Sequence, residues 1–590
     1  MLHLTINDIS VEVPEGTTIL EAAKGSGIHI PSLCYMKDLT PIGACRVCLV
    51  EVEGAKTLVA SCITPARDGM KVYTKTARVR NARRNVVELL LSEHIGECQT
   101  CDRNYDCELQ AVARELGVRD IAYPGEKGRQ LIDKSTPALV RDTGKCIKCR
   151  RCVTVCGEVQ GVSALFPQER GFDTVIGPAF ALELDDIVCV QCGQCSAVCP
   201  VGAISEKNQI GEVWAALDDP DKHVVVQTAP AIRAALGECF DNPPGTLVTG
   251  KMVSALRRIG FDAVFDTNFA ADLTIMEEGT ELLTRLKTAL VDKKKVALPM
   301  FTSCSPGWIK YIEHFYPDML ANVSTCKSPQ QMFGAVAKTY YAEKLNKKPE
   351  DIFVVSIMPC TAKKYECQRP EMNDSGVRDV DVVLTTRELG RMIKEAGIDF
   401  NSLPDDKMDA PLGMSSGAAD IFANTGGVME AALRTAYEIV TGKSLPFENL
   451  HVKDIVGLEG VKEASVTISE TVPEWSFLKG ATLNVAVAHG LGNARKVIER
   501  VRAKEADYHF IEIMACPGGC IGGGGQPRMT TKETRLARIN AIYREDEGKK
   551  LRKSHENPEI KQIYDEFLKE PLGKKSHKLL HTKYTPRTRV

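Results

Sequence analysis

The amino-acid sequence predicts a multidomain protein, α+β in its first third and α/β beyond it. Three observations point there. At 590 residues the chain is too long for a single hydrophobic core. Of its 22 cysteines, 15 fall before residue 200, in short-spaced groups. After residue 221, short apolar runs alternate with long helical stretches, the pattern of mainly parallel strands covered by helices. A hydrophobic fraction of 44% is ordinary for a soluble globular protein. No stretch nears the roughly 18 consecutive apolar residues of a membrane span. The opening MLHLTINDISVEVPEG has neither a basic n-region nor an apolar h-region, so no export signal and a cytoplasmic location are expected. A net charge of −2 with the signs mixed gives no reason to expect nucleic acid as a partner. In such a chain, clustered cysteines point to metal rather than to disulfides.

Residues 1–78 form the first expected module. LTIND and ISVEV alternate as a hairpin should, and TTILEAAKGSG follows as a helix with Thr17 as its N-cap. Cys34, Cys45, Cys48 and Cys62 then lie on loop-rich sequence, where thiolates can wrap a small cluster. The order differs from the C-x4-C-x2-C run, but the context resembles a β-grasp [2Fe–2S] ferredoxin domain of the plant type. A structural zinc site is the competing reading. Residues 79–120 carry His94, Cys98, Cys101 and Cys107 as H-x3-C-x2-C-x5-C. That pattern resembles the one-histidine, three-cysteine [4Fe–4S] motif of hydrogenases and of the large peripheral-arm subunit of respiratory NADH dehydrogenase.

In residues 135–210, Cys146, Cys149, Cys152 and Cys156 form C-x2-C-x2-C-x3-C, and Cys189, Cys192, Cys195 and Cys199 repeat it before Pro200. This is the signature of a two-[4Fe–4S] bacterial ferredoxin domain, in which the last cysteine of each run serves the other cluster. Cys146, Cys149, Cys152 and Cys199 are therefore assigned to one cubane, and Cys189, Cys192, Cys195 and Cys156 to the other. The four clusters would make an electron relay.

Past the charged linker LDDPDKH, strands are expected at 224–227, 263–266, 296–303, 352–358 and 508–514. Three of these are followed at once by cysteine: Cys304, Cys360, and the pair Cys516 and Cys520. Ligands of open α/β sheets gather outside the carboxyl ends of strands, so the three ends can present thiols to one point.

FTSCSPGW, IMPCTAKK and EIMACPGGCIGGGG resemble the three active-site signatures of [FeFe]-hydrogenases, and TAPAIRAALGE, STCKSPQQMFGA, TGGVMEAALR and RKSHENPEIKQIY extend the likeness. With the N-terminal modules it covers essentially the whole chain, in the order of the large clostridial-type enzymes. The resemblance implies a two-lobed α/β H-cluster domain at 221–540 and a wrapping small-subunit-like segment at 541–590. It also implies reversible reduction of protons to H2 at an H-cluster, a [4Fe–4S] cubane joined by one thiolate to a diiron unit with CO, cyanide and a dithiolate bridge. Carried over by position, Cys360, Cys516 and Cys520 are cubane ligands and Cys520 is also the bridge. Lys363 faces a cyanide, and Pro230, Ser328, Pro329, Gln330, Met358 and Met514 line the pocket. Cys304 is the proton-delivering thiol, and Glu278, Ser324, Glu281 and Arg285 continue the relay outward.

Where the family has a second cysteine as fourth cubane ligand, this chain has Ser305. Cys326, two residues after Ser324, is the expected replacement, because thiolate is the better iron ligand. Ser305 oxygen, or Cys304 in a slipped frame, are the alternatives. Cys239 and Cys367 fall in no motif and are expected to be inert thiols. GLGNAR (490–495) lacks the final glycine of a dinucleotide fingerprint, so electrons are expected from ferredoxin, from partner subunits carrying flavin and NAD(P)H, or both. TSCSPGW with STCKSPQQ resembles the NAD(P)-linked multimeric forms. Dedicated maturation proteins are implied by the cofactor. The competing functions are an iron–sulfur electron-transfer scaffold and a sensory or assembly protein of hydrogenase-like fold.

Overall fold

The computed structural model describes residues 1–125, 127–528 and 530–588. The N-terminal hairpin forms as Leu2–Ile6 and Ile9–Val13 and enters a five-stranded sheet with Leu49–Val52, Val59–Ala60 and Lys71–Tyr73. The helix Ile19–Gly25 packs on it, burying Ile19, Leu20, Ala22 and Ala23. Its N-cap is Thr18, whose side chain accepts the Glu21 N–H. Thr17, expected in that role, donates its hydroxyl to Pro14 and closes the preceding turn.

Beyond residue 221 the described chain forms two four-stranded sheets. In one, Ala263–Asp266, His223–Thr228, Ile352–Met358 and Val382–Thr385 lie side by side, all parallel. In the other the order is Met300–Phe301, Phe510–Met514, Thr482–His489 and Val461–Thr467, with the last strand antiparallel. The first three strands of the first sheet are buried almost throughout, as parallel strands covered on both faces must be. The strand expected at 296–303 is only Met300–Phe301, because Pro299 has no N–H to give to a ladder.

The helix Thr267–Leu290 runs through the centre of the molecule. Asp266 caps it by accepting the Asn268 N–H and also holds the Arg233 guanidinium, which reaches Asp420 on its other side. The C-terminal segment then wraps back over the domain. Its helices Lys532–Gly548, Pro558–Ile563 and Lys574–Leu580 lead to a bridge between His581 and Cys326. Glu277 gathers that segment, accepting from the Tyr564 hydroxyl (2.6 Å), the Leu572 N–H (2.8 Å) and the Ser576 hydroxyl.

Buried charge locks the modules together. Glu206, after the last ferredoxin-type cysteine, meets Arg387 (2.6 Å), Arg391 (3.0 Å) and Arg528 (3.3 Å) of the α/β domain. Burial pushes the Glu206 carboxyl up, but the three guanidiniums outweigh it and hold it well below the usual range. Arg528 also reaches Asp106 of the one-histidine module. The GLGNAR turn is a further contact. Gly490 and Gly492 press on the backbone of Val159, and the Leu491 N–H donates to Gln160. Among the described residues, no helix is long and apolar enough to cross a membrane.

Candidate active site

The carboxyl ends of five strands face one cavity. Ala229 and Pro230 arrive after His223–Thr228, and Thr267 after Ala263–Asp266. Met358 and Cys360 end the Ile352–Met358 strand, Cys304 and Ser305 follow Met300–Phe301, and Met514 and Cys516 end Phe510–Met514. Pro329, Gln330, Lys363, Phe422, Gly519 and Cys520 complete the wall. Cysteines from three remote segments therefore meet in one place. Cys360 and Cys516 lie within hydrogen-bonding reach of each other, and Cys520 is close enough to Cys360 for that neighbour to push its thiol up further. Gly519 is needed beneath them, for its φ is +87° and a Cβ would stand 2.5 Å from the Thr425 nitrogen.

The donor set fits a cluster of iron with small anionic ligands. Thiolates are the soft donors such a cluster requires, and the cavity walls are otherwise mostly apolar. Lys363 supplies the cation. Its ammonium bonds the Cys304 carbonyl at 3.1 Å and Glu366 at 2.9 Å. Glu366 also accepts from Ser328 (2.8 Å) and Gln330 (3.2 Å), leaving the buried Gln330 Oε1 without a partner.

Behind the cavity lies a chain of polar groups. Burial pushes the Cys304 thiol well up, and the neighbouring Glu278 carboxylate adds to it. Glu278 is 1% exposed, and burial followed by repulsion from Glu281 raises its pKa to about 8. The Ser324 hydroxyl, which also faces Glu278, donates to Glu281 at 2.9 Å, and Glu281 pairs with Arg285 at 2.6 Å. Glu278, Glu281 and Arg285 are spaced three and four apart, so the one helix Thr267–Leu290 aligns all three.

The N-terminal thiols gather in separate groups. The Cys34 thiol lies within hydrogen-bonding reach of Cys45 and Cys62, and Cys62 within reach of Cys48. His94 ends the helix Ala77–Glu93 beside the turn Cys98–Thr100, with its Nδ1 against the Gly96 N–H at 3.0 Å. Cys101 and Cys107 are close enough to interact. Cys146, Cys149, Cys152 and Cys199 line one pocket, and Cys156, Cys189, Cys192 and Cys195 a second. The second pocket abuts the cavity: the Thr361 hydroxyl, next to Cys360, donates to the Gln191 carbonyl at 2.7 Å, and Gln194 donates to Gly522 at 2.9 Å.

Residues 222–524 match the family model of the iron only hydrogenase large subunit, C-terminal domain, and 532–587 that of the iron hydrogenase small subunit. The chain belongs to the iron-only hydrogenases. Its N-terminal modules match a 2Fe-2S iron-sulfur cluster binding domain (1–77), the NADH-ubiquinone oxidoreductase-G iron-sulfur binding region (83–122) and a 4Fe-4S dicluster domain (145–203). The chain is 53% identical to the NADP-reducing hydrogenase subunit HndD of Solidesulfovibrio fructosivorans, over the full length of both. It is 41% identical to iron hydrogenase 1 of Clostridium pasteurianum, over 99% of this chain and all of that one. The solved apo [FeFe]-hydrogenase HydA1 of Chlamydomonas reinhardtii, a single-substitution variant, is 48% identical with a TM-score of 0.58, covering 65% of this chain and all of that one. This hydrogenase therefore joins iron–sulfur electron-carrying domains to a catalytic H-cluster domain.

Two expected site residues lie elsewhere. Cys326 is not among the residues lining the cavity. It is fully buried on the far side of the relay, with its thiol 3.9 Å from Glu281. The His581 bridge turns it there, away from Cys360, Cys516 and Cys520. Ser305 is the residue at the cavity wall, its hydroxyl accepting the Ala515 N–H at 3.3 Å. Ser328 backs the wall through Glu366 rather than lining it. Glu366 was missed by the sequence reading, although its i, i+3 spacing from Lys363 was a usable signal. Of the two thiols outside any motif, Cys367 is buried and Cys239 half-buried against Gly390.

Proposed function

We propose that Cys360, Cys516 and Cys520 would hold the cubane of the H-cluster, that Cys520 would also hold the diiron unit, and that Ser305 would supply the remaining ligand. When bound, that group supplies the metal centre at which protons and electrons combine reversibly to H2. Lys363 is held by Glu366 in position to neutralise an anionic ligand, and Pro230, Pro329, Gln330, Met358 and Met514 exclude water. Cys304 carries the proton at its Sγ, and Glu278 recharges it. Ser324 passes protons between Glu278 and Glu281, and Arg285 pairs with Glu281 at the outer end of the series. A carboxyl raised to a pKa of about 8 is poised to take up and give back protons near neutral pH. The observation that carries this reading is the shared cavity of Cys304, Cys360, Cys516 and Cys520, with Glu278 beside Cys304.

The N-terminal domains would carry one [2Fe–2S] and three [4Fe–4S] clusters, ending at the Cys192 loop against Thr361 next to Cys360. Full-length similarity to an NADP-reducing hydrogenase subunit supports a multisubunit assembly whose other chains carry flavin and NAD(P)H, with ferredoxin as a second donor. A cytoplasmic site and dedicated maturation proteins complete the proposal. H2 evolution from reduced viologen by the matured chain tests it. Cys304→Ala should abolish turnover while all cluster signals remain, and an active Cys304→Ala variant rules out the relay.

A further inference from the structure

Cys326 has no part in the reaction as derived, yet it is one of three buried ligand-type side chains brought together from separate segments. Glu281 comes from the helix Thr267–Leu290, Cys326 from the extended segment after Val323, and His581 from the C-terminal segment. Their donor atoms all lie within 4.8 Å of one another. The backbone fixes the pair: Cys326 and His581 form an antiparallel bridge, flanked by Lys327 N–H to Leu580 (2.7 Å) and Thr582 N–H to Thr325 (2.7 Å).

The imidazole is prepared for a cation. Its Nε2 faces the Glu277 carboxylate at 3.1 Å, and a carboxylate can only accept, so the proton sits on Nε2. In the neutral imidazole with that proton, Nδ1 carries the lone pair; it stands 2.8 Å from the Thr325 hydroxyl, which is 3.3 Å from Glu281 Oε2. Glu277, His581 and a cation would form the carboxylate–histidine–metal series common in protein metal sites. A thiolate, an imidazole and a carboxylate together favour zinc or cadmium over magnesium.

We infer that Glu281, Cys326 and His581 form a binding site for a zinc-type divalent cation, and that a cation held there closes the proton route. Glu281 Oε1 remains with Arg285, but Oε2 is the oxygen that the Ser324 hydroxyl now reaches. A cation on Oε2 displaces that hydroxyl and breaks the link between Ser324 and Glu281. The blocking rests on the relay proposed above; the site itself does not.

The test uses the matured full-length enzyme, zinc chloride as probe and magnesium chloride as control. After desalting, the wild type should retain one zinc more than Cys326→Ala, with a sulfur ligand in its zinc-edge absorption spectrum. Zinc should slow wild-type H2 evolution by at least about tenfold, reversibly with a chelator, while magnesium does nothing. Cys326→Ala should keep its basal turnover and need at least about tenfold more zinc for the same inhibition. Cys326→Ser repeats the measurement should the alanine variant fail to fold. Equal zinc retention by wild type and variant overturns the site and leaves the relay untouched. Retention that differs without inhibition keeps the site and overturns the blocking, while the relay stands or falls by Glu278→Gln.

Discussion

Glu278→Gln is the perturbation on which the relay makes its sharpest statement. Glutamine keeps the size and packing of the side chain but cannot take a proton on one oxygen and release it from the other. At 1% exposure, bulk water has no access to replace it. Positioned proton transfer contributes about 10²–10⁴-fold to rates, or about 3–5 kcal/mol of barrier. Full burial places the expected loss in the upper half of that range. The pH profile carries a second signature. Burial, then repulsion from Glu281, raises the Glu278 pKa to about 8. The group therefore keeps its proton below about pH 8 and loses it above, and the ionised form cannot recharge Cys304. Wild-type H2 evolution should fall by about tenfold per pH unit above pH 8, and the glutamine variant should lack that limb. Viologen-driven H2 evolution across pH, with electron paramagnetic resonance to confirm intact clusters, reads both. A Glu278→Gln enzyme within tenfold of wild type, with intact clusters, refutes the reasoning.

Other substitutions test other parts. Ser305→Cys should give a cubane more resistant to chelation than wild type, read as iron lost over time, since thiolate replaces a harder oxygen ligand. Glu206→Gln takes the carboxylate from the buried guanidiniums of Arg387 and Arg528 and from the half-buried Arg391, and should cost about 3–5 kcal/mol. Faster hydrogen exchange where 194–206 meets 387–391 would register that loss. Gly193→Ala puts a methyl 2.3 Å from the Thr361 hydroxyl at a residue of φ +71°. It should push the last ferredoxin-type cluster away from Cys360 and slow H2 evolution from donors that enter through the N-terminal domains.

The legible parts of the molecule were those written in local spacing. The strands at 263–266 and 352–358 stand as the apolar runs mark them. The run at 296–303 reads as one strand because hydropathy does not register a missing N–H at Pro299. Glu278, Glu281 and Arg285 show their alignment by helical spacing alone. Cys326 misleads because its neighbour Ser324 faces the relay and not the cavity. Residues two apart on an extended segment share a face, so Cys326 follows Ser324 onto Glu281. The Glu277–His581 contact joins residues 304 positions apart, and no spacing rule reaches that far.

The central claim is that four sulfurs from three remote segments enclose one catalytic centre, and the infrared spectrum of the matured chain tests it most directly. Wild type should show CO and cyanide stretches that vanish in Cys520→Ser, while the paramagnetic signals of the N-terminal clusters persist. Unchanged CO and cyanide bands in Cys520→Ser would contradict the account.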